Sequence, residues 1–383
     1  MCIDFHKIYT HPRLPVKLMT TIAPLTDLNP ARFDRPDILK GVAAASRQLA
    51  ELKGVTASMP HAGILINVLG MQEAKDSSAI ENIVTTHDEL FRDAAFPEEG
   101  ESAAAKEVLR YRQALKVGFD AVSASGLLTV NHILKVQQEL ERNDAGFRTV
   151  PGTVLKDNTG RTVYTPPRPD AILHLMTDLE RFINDPGAFP ADPLIRMALI
   201  HHQFESIHPF YDGNGRTGRI VNVLYLLTQR LLDIPVLYMS RHIVRTKSDY
   251  YRLLQAVRER DTWEEWVTYM LAAVETTARD GIATVTAIRE ALLATKHRIR
   301  SEHRKIYSQD LINSLFTHPY TKIQFIERDL DVSRITAAKY LDLLAADGIL
   351  AKQRVGRANY YINLPLTAIL TADAGEPTPA GSF

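Results

Sequence analysis

The chain has 383 residues, enough for two or three domains, and 45 acidic side chains balance 45 basic ones, so no bulk charge points to nucleic acid or an acidic membrane surface. A single cysteine, Cys2, excludes an internal disulfide framework and a cysteine-ligated zinc site. No apolar run approaches the roughly 18 residues of a membrane span, and the N-terminus lacks a basic segment followed by an apolar core. The expectation is a soluble, cytoplasmic protein with no membrane association.

Residues 1–35 are punctuated by proline and read as irregular. Apolar residues then recur at helical spacing over Pro36–Leu52, Asp76–Ala94 and Ala103–Val122. The stretch "FRTVPGTVLKDNTGRTVYTPPRPD" breaks that rhythm. Val150, Val154, Val163 and Tyr164 flank "DNTG", which predicts a hairpin stopped by Pro166-Pro167. Helices resume over Ala171–Asn184 and after Asp192-Pro193, an N-cap followed by proline at the first helical position. Further helices are expected over Asp249–Arg260, Thr262–Thr277 and from Ile282 to about His303. The closing "ADAGEPTPAGSF" is too polar and too rich in proline and glycine to pack.

The densest chemistry lies in "SIHPFYDGNGRTGRIVNVLYLL", Ser206–Leu227. The two glycines of "DGNG" permit positive φ, so consecutive N–H groups can turn inward around an anion. The apolar run that follows predicts a buried helix, and a helix N-terminus behind a glycine turn receives phosphate. Arg216 and Arg219 share one face of that helix and suit terminal phosphates. Asp212 can hold a hard Mg²⁺ already on phosphate oxygens, and His208 can take a proton from an attacking hydroxyl. Base, metal carboxylate, anion cradle and charge clamp together indicate phosphoryl or nucleotidyl transfer. It is not a P-loop, because no lysine follows the last glycine. His201, Glu205 and His208 also fall on one helix face, which leaves a zinc site as the alternative reading.

"HPFYDGNGRTGR" resembles, position for position, the signature of the Fic family: His, any residue, Phe, any residue, Asp or Glu, Gly-Asn-Gly-Arg, two variable residues, Arg. Similarity to the family's flap hairpin and closing helices extends it over about residues 110–280. The resemblance implies an enzyme that transfers AMP from ATP to a hydroxyl of a protein substrate, which can be the protein itself, with release of pyrophosphate. It implies His208 as general base, Phe210 as core anchor and Asp212 as the Mg²⁺ ligand. Gly213, Asn214 and Gly215 would cradle ATP phosphates, with Arg216 and Arg219 on the β- and γ-phosphates. Tyr251 falls where relatives contact adenine, and Tyr250-Tyr251 equally reads as a pair of core aromatics. A phosphotransferase branch typified by the toxin Doc has lysine where this chain has Gly215, so the intact "GNGR" favours AMP transfer. A phosphocholine-transferring branch shares the core motif and leaves another diphosphate substrate open.

Upstream, "KDSSAIENIVTTHDELF" has two readings. Ser78 and Glu81 have the spacing of a capping box at a helix start. Ser77, Glu81 and Asn82 also fit the family's inhibitory pattern of Ser or Thr, three variable residues, Glu, then Gly or Asn. By that resemblance Glu81 pairs with Arg219 and occupies the space of the γ-phosphate.

Residues 306–363 read as three helices followed by a hairpin and resemble a winged helix-turn-helix. Ser333 would cap a recognition helix carrying Arg334 and Lys339, with Lys352, Arg354 and Arg357 on the wing. Those basic residues suit DNA phosphates; Asp342 and Asp347 on the same helix keep protein docking or a homodimer open. The expected fold is mainly α: a Fic-type helical core with a β-hairpin flap plus the winged module. The expected divisions are an N-terminal helical region with the inhibitory helix (1–109), a catalytic core (110–280), a linker helix (281–305), the winged module (306–363) and a disordered tail (364–383). The rival to the enzyme is a DNA-binding transcriptional regulator whose Fic core senses a nucleotide.

Overall fold

The computed structural model describes residues 22–95, 102–157, 159–355 and 358–372. It is mainly helical, with one two-stranded and one three-stranded antiparallel sheet. Two compact units, each discontinuous in sequence, divide the chain. The first takes the chain up to Lys53, Glu73–Ile83 and Arg110–Arg279; the second takes Gly54–Gln72, Val84–Leu109 and the chain from Asp280 onward. Among the described residues no helix is long and apolar enough to cross a membrane.

Among the described residues the first α-helices are α1 (Pro36–Ala57), α2 (Ala62–Ile80), α3 (His87–Ala95) and α4 (Ala103–Ser125). Here the sequence reading needs correction. The expected helix from Asp76 to Ala94 is two elements, and Ser77 and Ser78 lie near the end of α2 rather than at a helix start. The capping box is therefore overturned. In its place Asn82 adopts the left-handed conformation (φ 64°). Its N–H donates to Ala79 O (3.1 Å), and Ile83 N–H donates back to Ser78 O (3.1 Å). That is a Schellman stop, and it explains an asparagine at this position, since its short amide side chain tolerates positive φ.

The rest of the first unit is built around two buried helices. It contains α5 (Val130–Glu141), strands β1 (Leu155–Lys156) and β2 (Thr162–Tyr164), α6 (Pro169–Asn184), α7 (Pro193–Ile207), α8 (Asn214–Thr228), α9 (Met239–Arg245), α10 (Lys247–Arg260) and the start of α11 (Trp263–Glu302). The Asp192 side chain accepts from Leu194 N–H (2.8 Å) to start α7, as its Asp-Pro sequence predicts. Every residue from Leu194 to Ile207 is buried, and so is α8 from Arg216 to Leu226. α8 packs against α7 and α5. A Cβ at Gly118 of α4 would lie 2.6 Å from Leu224 and 2.9 Å from Val136, so that glycine admits α8 and α5 at close range. Each fully buried aliphatic of α8 (Ile220, Val221, Leu224, Leu226) contributes about 1.5–3 kcal/mol, which fixes where its N-terminus lies. The hairpin forms where expected, with Leu155 opposite Tyr164.

The pair of helices expected over Thr262–Thr277 and Ile282–His303 is a single helix of 40 residues. No proline separates them, and one internal glycine costs only about 1 kcal/mol. In the second unit follow α12 (Gln309–Thr317), β3 (Tyr320–Lys322), α13 (Ile323–Leu330), α14 (Arg334–Ala346), β4 (Leu350–Val355) and β5 (Ala358–Asn363). The sheet order is β3-β5-β4. The Ser333 side chain accepts from Thr336 N–H (3.3 Å) at the start of α14. Arg357 lies outside the described residues. The disordered tail expected from residue 364 is corrected over its first part: Leu364–Thr371 form α15, with Leu366 and Leu370 buried. Asn363 caps it and donates to Leu315 O, an anchorage that proline and glycine farther along the tail obscure in the sequence. Residues 373–383 lie outside the described residues.

Candidate active site

α7 ends at His208, whose backbone is left-handed (φ 49°, ψ 60°) and whose N–H donates to Phe204 O. Few residues with a side chain adopt that conformation, and here a set of hydrogen bonds surrounds it. The last carbonyls of a helix lack intrahelical donors, and here each finds a specific buried one. Arg258 Nη2 donates to Glu205 O (3.1 Å) and the Tyr164 hydroxyl to Ser206 O (2.8 Å). Arg148 donates through Nε to His208 O (2.8 Å) and through Nη2 to Ile207 O (3.4 Å) and Pro167 O (2.6 Å). Its own N–H reaches Pro209 O (2.9 Å).

The loop then turns into α8. Phe210 is fully buried against Phe147 and Phe204. The Asn214 side chain both accepts from Phe210 N–H (2.8 Å) and donates to Phe210 O (2.9 Å). Its amide thus closes the loop, so only its main chain faces the place expected of a cradle. Gly213 is left-handed (φ 71°), and a Cβ there would lie 2.3 Å from Glu141 Oε1. Asp212 is half-buried beside the turn and accepts the Gly213 N–H (2.9 Å). The first turn of α8 leaves N–H groups without intrahelical partners, and the positive end of its dipole favours an anion.

Two arginines stand behind that turn, 3–4% exposed, and one carboxylate bridges them. Glu81 Oε1 is 2.9 Å from Arg219 Nη2, and Glu81 Oε2 is 2.9 Å from Arg216 Nε. Ser77 supplies Arg219 with two more acceptors, Oγ (2.7 Å) and the main-chain O (3.0 Å). Arg216 also meets Glu141 Oε1 (3.0 Å). Burial opposes the charge of Arg219, yet the Glu81 carboxylate holds the guanidinium above its ordinary pKa. A Cβ at Gly215 would lie 2.7 Å from Glu81 Oε1, so Gly215 is what lets the carboxylate approach the helix. Glu81 sits at the negative end of α2, where an acidic residue is disfavoured unless cations meet it. Asn82 Oδ1 accepts from Lys247 Nζ (3.0 Å).

Burial, with Arg258 and Arg148 nearby, lowers the pKa of His208 to about 3, so its imidazole is neutral at physiological pH. Glu205, one turn earlier, is pushed up to about 7 by burial. Tyr250 is a core aromatic whose hydroxyl meets His201 Nε2 at 2.9 Å. Tyr251 is half-buried, 5.1 Å from it ring to ring, and burial raises its pKa while Arg219 opposes and Glu81 reinforces that rise. Tyr251 therefore lies within electrostatic reach of Arg219 and Glu81. The zinc alternative has no support: His201 is engaged by Tyr250 and stacks on Trp266, and among the described residues His201, Glu205 and His208 do not converge.

Sequence reasoning missed Arg148, Glu141 and Arg258. Glu141 ends α5, a helix that "TVNHILKVQQELE" could have disclosed through its Thr129 cap and apolar spacing. Arg148 stands alone in an irregular segment with no periodic signal.

Fold and loop together define a helical protein that presents a neutral histidine and two buried arginines at one helix N-terminus. Family models match three successive stretches: "Fic/DOC family N-terminal" over residues 39–120, "Fic/DOC family" over 127–226, and "Protein adenylyltransferase SoFic-like, C-terminal domain" over 292–366. The chain belongs to the Fic/DOC family. It is 34% identical over 98 residues to protein adenylyltransferase fic-1 of Caenorhabditis briggsae and 35% over 98 residues to protein adenylyltransferase Fic of Aedes aegypti. Those matches span 26% of this chain and only 18% of each relative's length. A crystal structure of a Fic family protein from Desulfovibrio desulfuricans superposes with a TM-score of 0.52 at 20% identity, over 86% of this chain and 96% of that one. A Fic-domain signalling protein from Bacteroides thetaiotaomicron gives 0.51 at 17% identity, over 63% and 96%. At these identities the structural likeness speaks for the fold.

Proposed function

We propose that the protein transfers AMP from ATP to a hydroxyl of a protein side chain (Ser, Thr or Tyr), releasing pyrophosphate, and that Glu81 restrains it. The observation that carries this reading is the turn from His208 into α8, where a neutral imidazole precedes a helix N-terminus backed by Arg216 and Arg219. The triphosphate lies along the first turn of α8, met by the main-chain N–H groups of Asn214 and Gly215, by that of Gly213 once Asp212 turns from it, and by the two guanidiniums. His208 takes the proton of the target hydroxyl; the oxygen forms a bond to the α-phosphorus, and the bond from that phosphorus to pyrophosphate breaks. Arg216 and Arg219 stabilise the charge that gathers on the leaving pyrophosphate.

Asp212 fits Mg²⁺, since one half-buried carboxylate beside a phosphate-binding turn is the protein share such an ion commonly takes. Bound there, the ion would neutralise phosphate charge. Tyr251 lines the nucleoside end, and the β1–β2 hairpin aligns the target's main chain by strand addition. Glu81 holds both guanidiniums that the terminal phosphates need, so ATP binds productively only when the carboxylate withdraws. This is a broader restraint than pairing with Arg219 alone.

A second activity is supported by the C-terminal module. We infer that this module is a DNA-binding winged helix-turn-helix: an order of helix, strand, two helices and hairpin is compatible with that fold, and Arg334, Ile335 and Lys339 are exposed on α14. On the wing, Lys352 is held 2.7 Å from Asp342, which narrows the surface offered to DNA toward α14 itself.

The test of the main reading is His208→Ala. It should bind ATP as the parent does and lose transfer of α-labelled AMP by on the order of 10²-fold or more. Near-parental transfer would end the assignment.

A further inference from the structure

Arg148 is buried, 2% exposed, and belongs to neither the signature loop nor the inhibitory helix. Its side-chain hydrogen bonds go to three main-chain oxygens: His208 O, Ile207 O and Pro167 O. Burial disfavours the charge of Arg148, and among the described residues its guanidinium meets carbonyls rather than the carboxylate that would ordinarily answer a buried cation. The stabilising groups are instead the negative end of the α7 dipole and the carbonyl of a residue in a strained conformation.

Three facts give that arrangement a purpose. First, His208 is left-handed at φ 49°, a conformation that a residue with a Cβ adopts seldom and that neighbouring hydrogen bonds help to hold. Second, the bond from Arg148 Nε falls on the carbonyl of His208 itself, and the bond from Arg148 N–H falls on Pro209 O, so both peptides leaving the histidine are gripped. Third, Pro167 closes the far side of the hairpin, while Arg148 precedes its near side. One planar fork thus locks the hairpin ends to the histidine backbone. A lysine could not do this, having a single nitrogen where Nε and Nη2 reach separate carbonyls.

We infer that Arg148 is a positioning residue for AMP transfer: its guanidinium holds the His208 peptide left-handed and sets the imidazole against the hairpin on which the target lies. The inference rests on His208 being the base. Arg148 touches neither the nucleotide-facing N–H groups nor Arg216 or Arg219, so its loss changes the turnover step and spares ATP binding.

The experiment compares Arg148→Lys, Arg148→Met and His208→Ala in the full chain, each also carrying Glu81→Gly to relieve the restraint. Initial rates of AMP transfer, KM for ATP, ATP Kd and melting temperature are measured. Misplacement of a reacting group by about 1 Å can cost up to about 10²-fold, so Arg148→Lys should lose about tenfold or more in kcat, with KM and Kd for ATP within about twofold of the Glu81→Gly parent. A role confined to folding would lower the melting temperature or the ATP-binding fraction and leave kcat per bound site intact; that result overturns the inference. Parental kcat in Arg148→Lys overturns it as well. Should Arg148→Met fail to fold, the lysine variant still decides. Transfer surviving in His208→Ala would instead remove the reading of the base, whatever the arginine variants do.

Discussion

Replacing Glu81 by glycine sets stability and activity against each other. The carboxylate makes two ion pairs of 2.9 Å with arginines that are 3–4% exposed, while being 19% exposed itself. Breaking a buried pair costs about 3–5 kcal/mol when the cation is left alone. Neither cation is: Arg219 keeps Ser77 Oγ and O, and Arg216 keeps Glu141. Removing an acid from the C-terminal end of α2 also returns about 0.3–1 kcal/mol. The net loss should be about 2 kcal/mol, a fall in melting temperature of about 4–8 °C. Transfer should move the other way, because both guanidiniums become available to phosphate. Mg²⁺-ATP should therefore stabilise Glu81→Gly more than the parent, narrowing the gap between them. The assay is the initial rate of AMP transfer for the parent, Glu81→Gly, Arg219→Ala and the double variant, with melting temperatures in parallel. The double variant should forfeit the gain. A folded Glu81→Gly protein with unchanged or reduced transfer would refute the restraint while leaving the catalytic loop untouched.

Two further outcomes follow from charge. Glu73 is buried, accepts from the Tyr111 hydroxyl (3.0 Å) and from Ser240, and burial pushes it up to about 7. A carboxyl raised on folding contributes stability that is complete below the unfolded value and lost as pH rises through the folded one, here across about pH 4.5–7. Glu73→Gln removes that loss, so its melting temperature relative to the parent should rise from pH 5 to pH 8; a constant difference would count against a protonated Glu73. The buried histidines His201, His202 and His208, lowered by burial, oppose folding below about pH 6.5 in both proteins and cancel in the comparison. In the second unit, the full chain should bind duplex DNA with affinity that falls steeply with salt, weakened by Arg334→Ala and Lys339→Ala; no binding at low salt would favour docking to protein.

The sequence determined the parts whose cause is local. Asp192-Pro193 started α7, "DGNG" made the turn, and apolar runs marked α8 for burial, because capping, positive φ and periodicity act within a few residues. The same local rules misread Ser78 and Glu81 as a helix start, since the spacing of a capping box does not record that a helix already runs in from Ala62. The pairing of Glu81 with Arg219 across 138 positions was legible only through the family resemblance, and tertiary structure alone showed that Glu81 bridges Arg216 as well, a geometry that depends on the bare Cα of Gly215. Glu141 reached Arg216 and Arg148 reached the His208 carbonyl in the same way. Such contacts leave no periodic trace in a chain, because a buried charge is positioned by whichever partner the packing of helices delivers, and that partner can lie anywhere along the sequence.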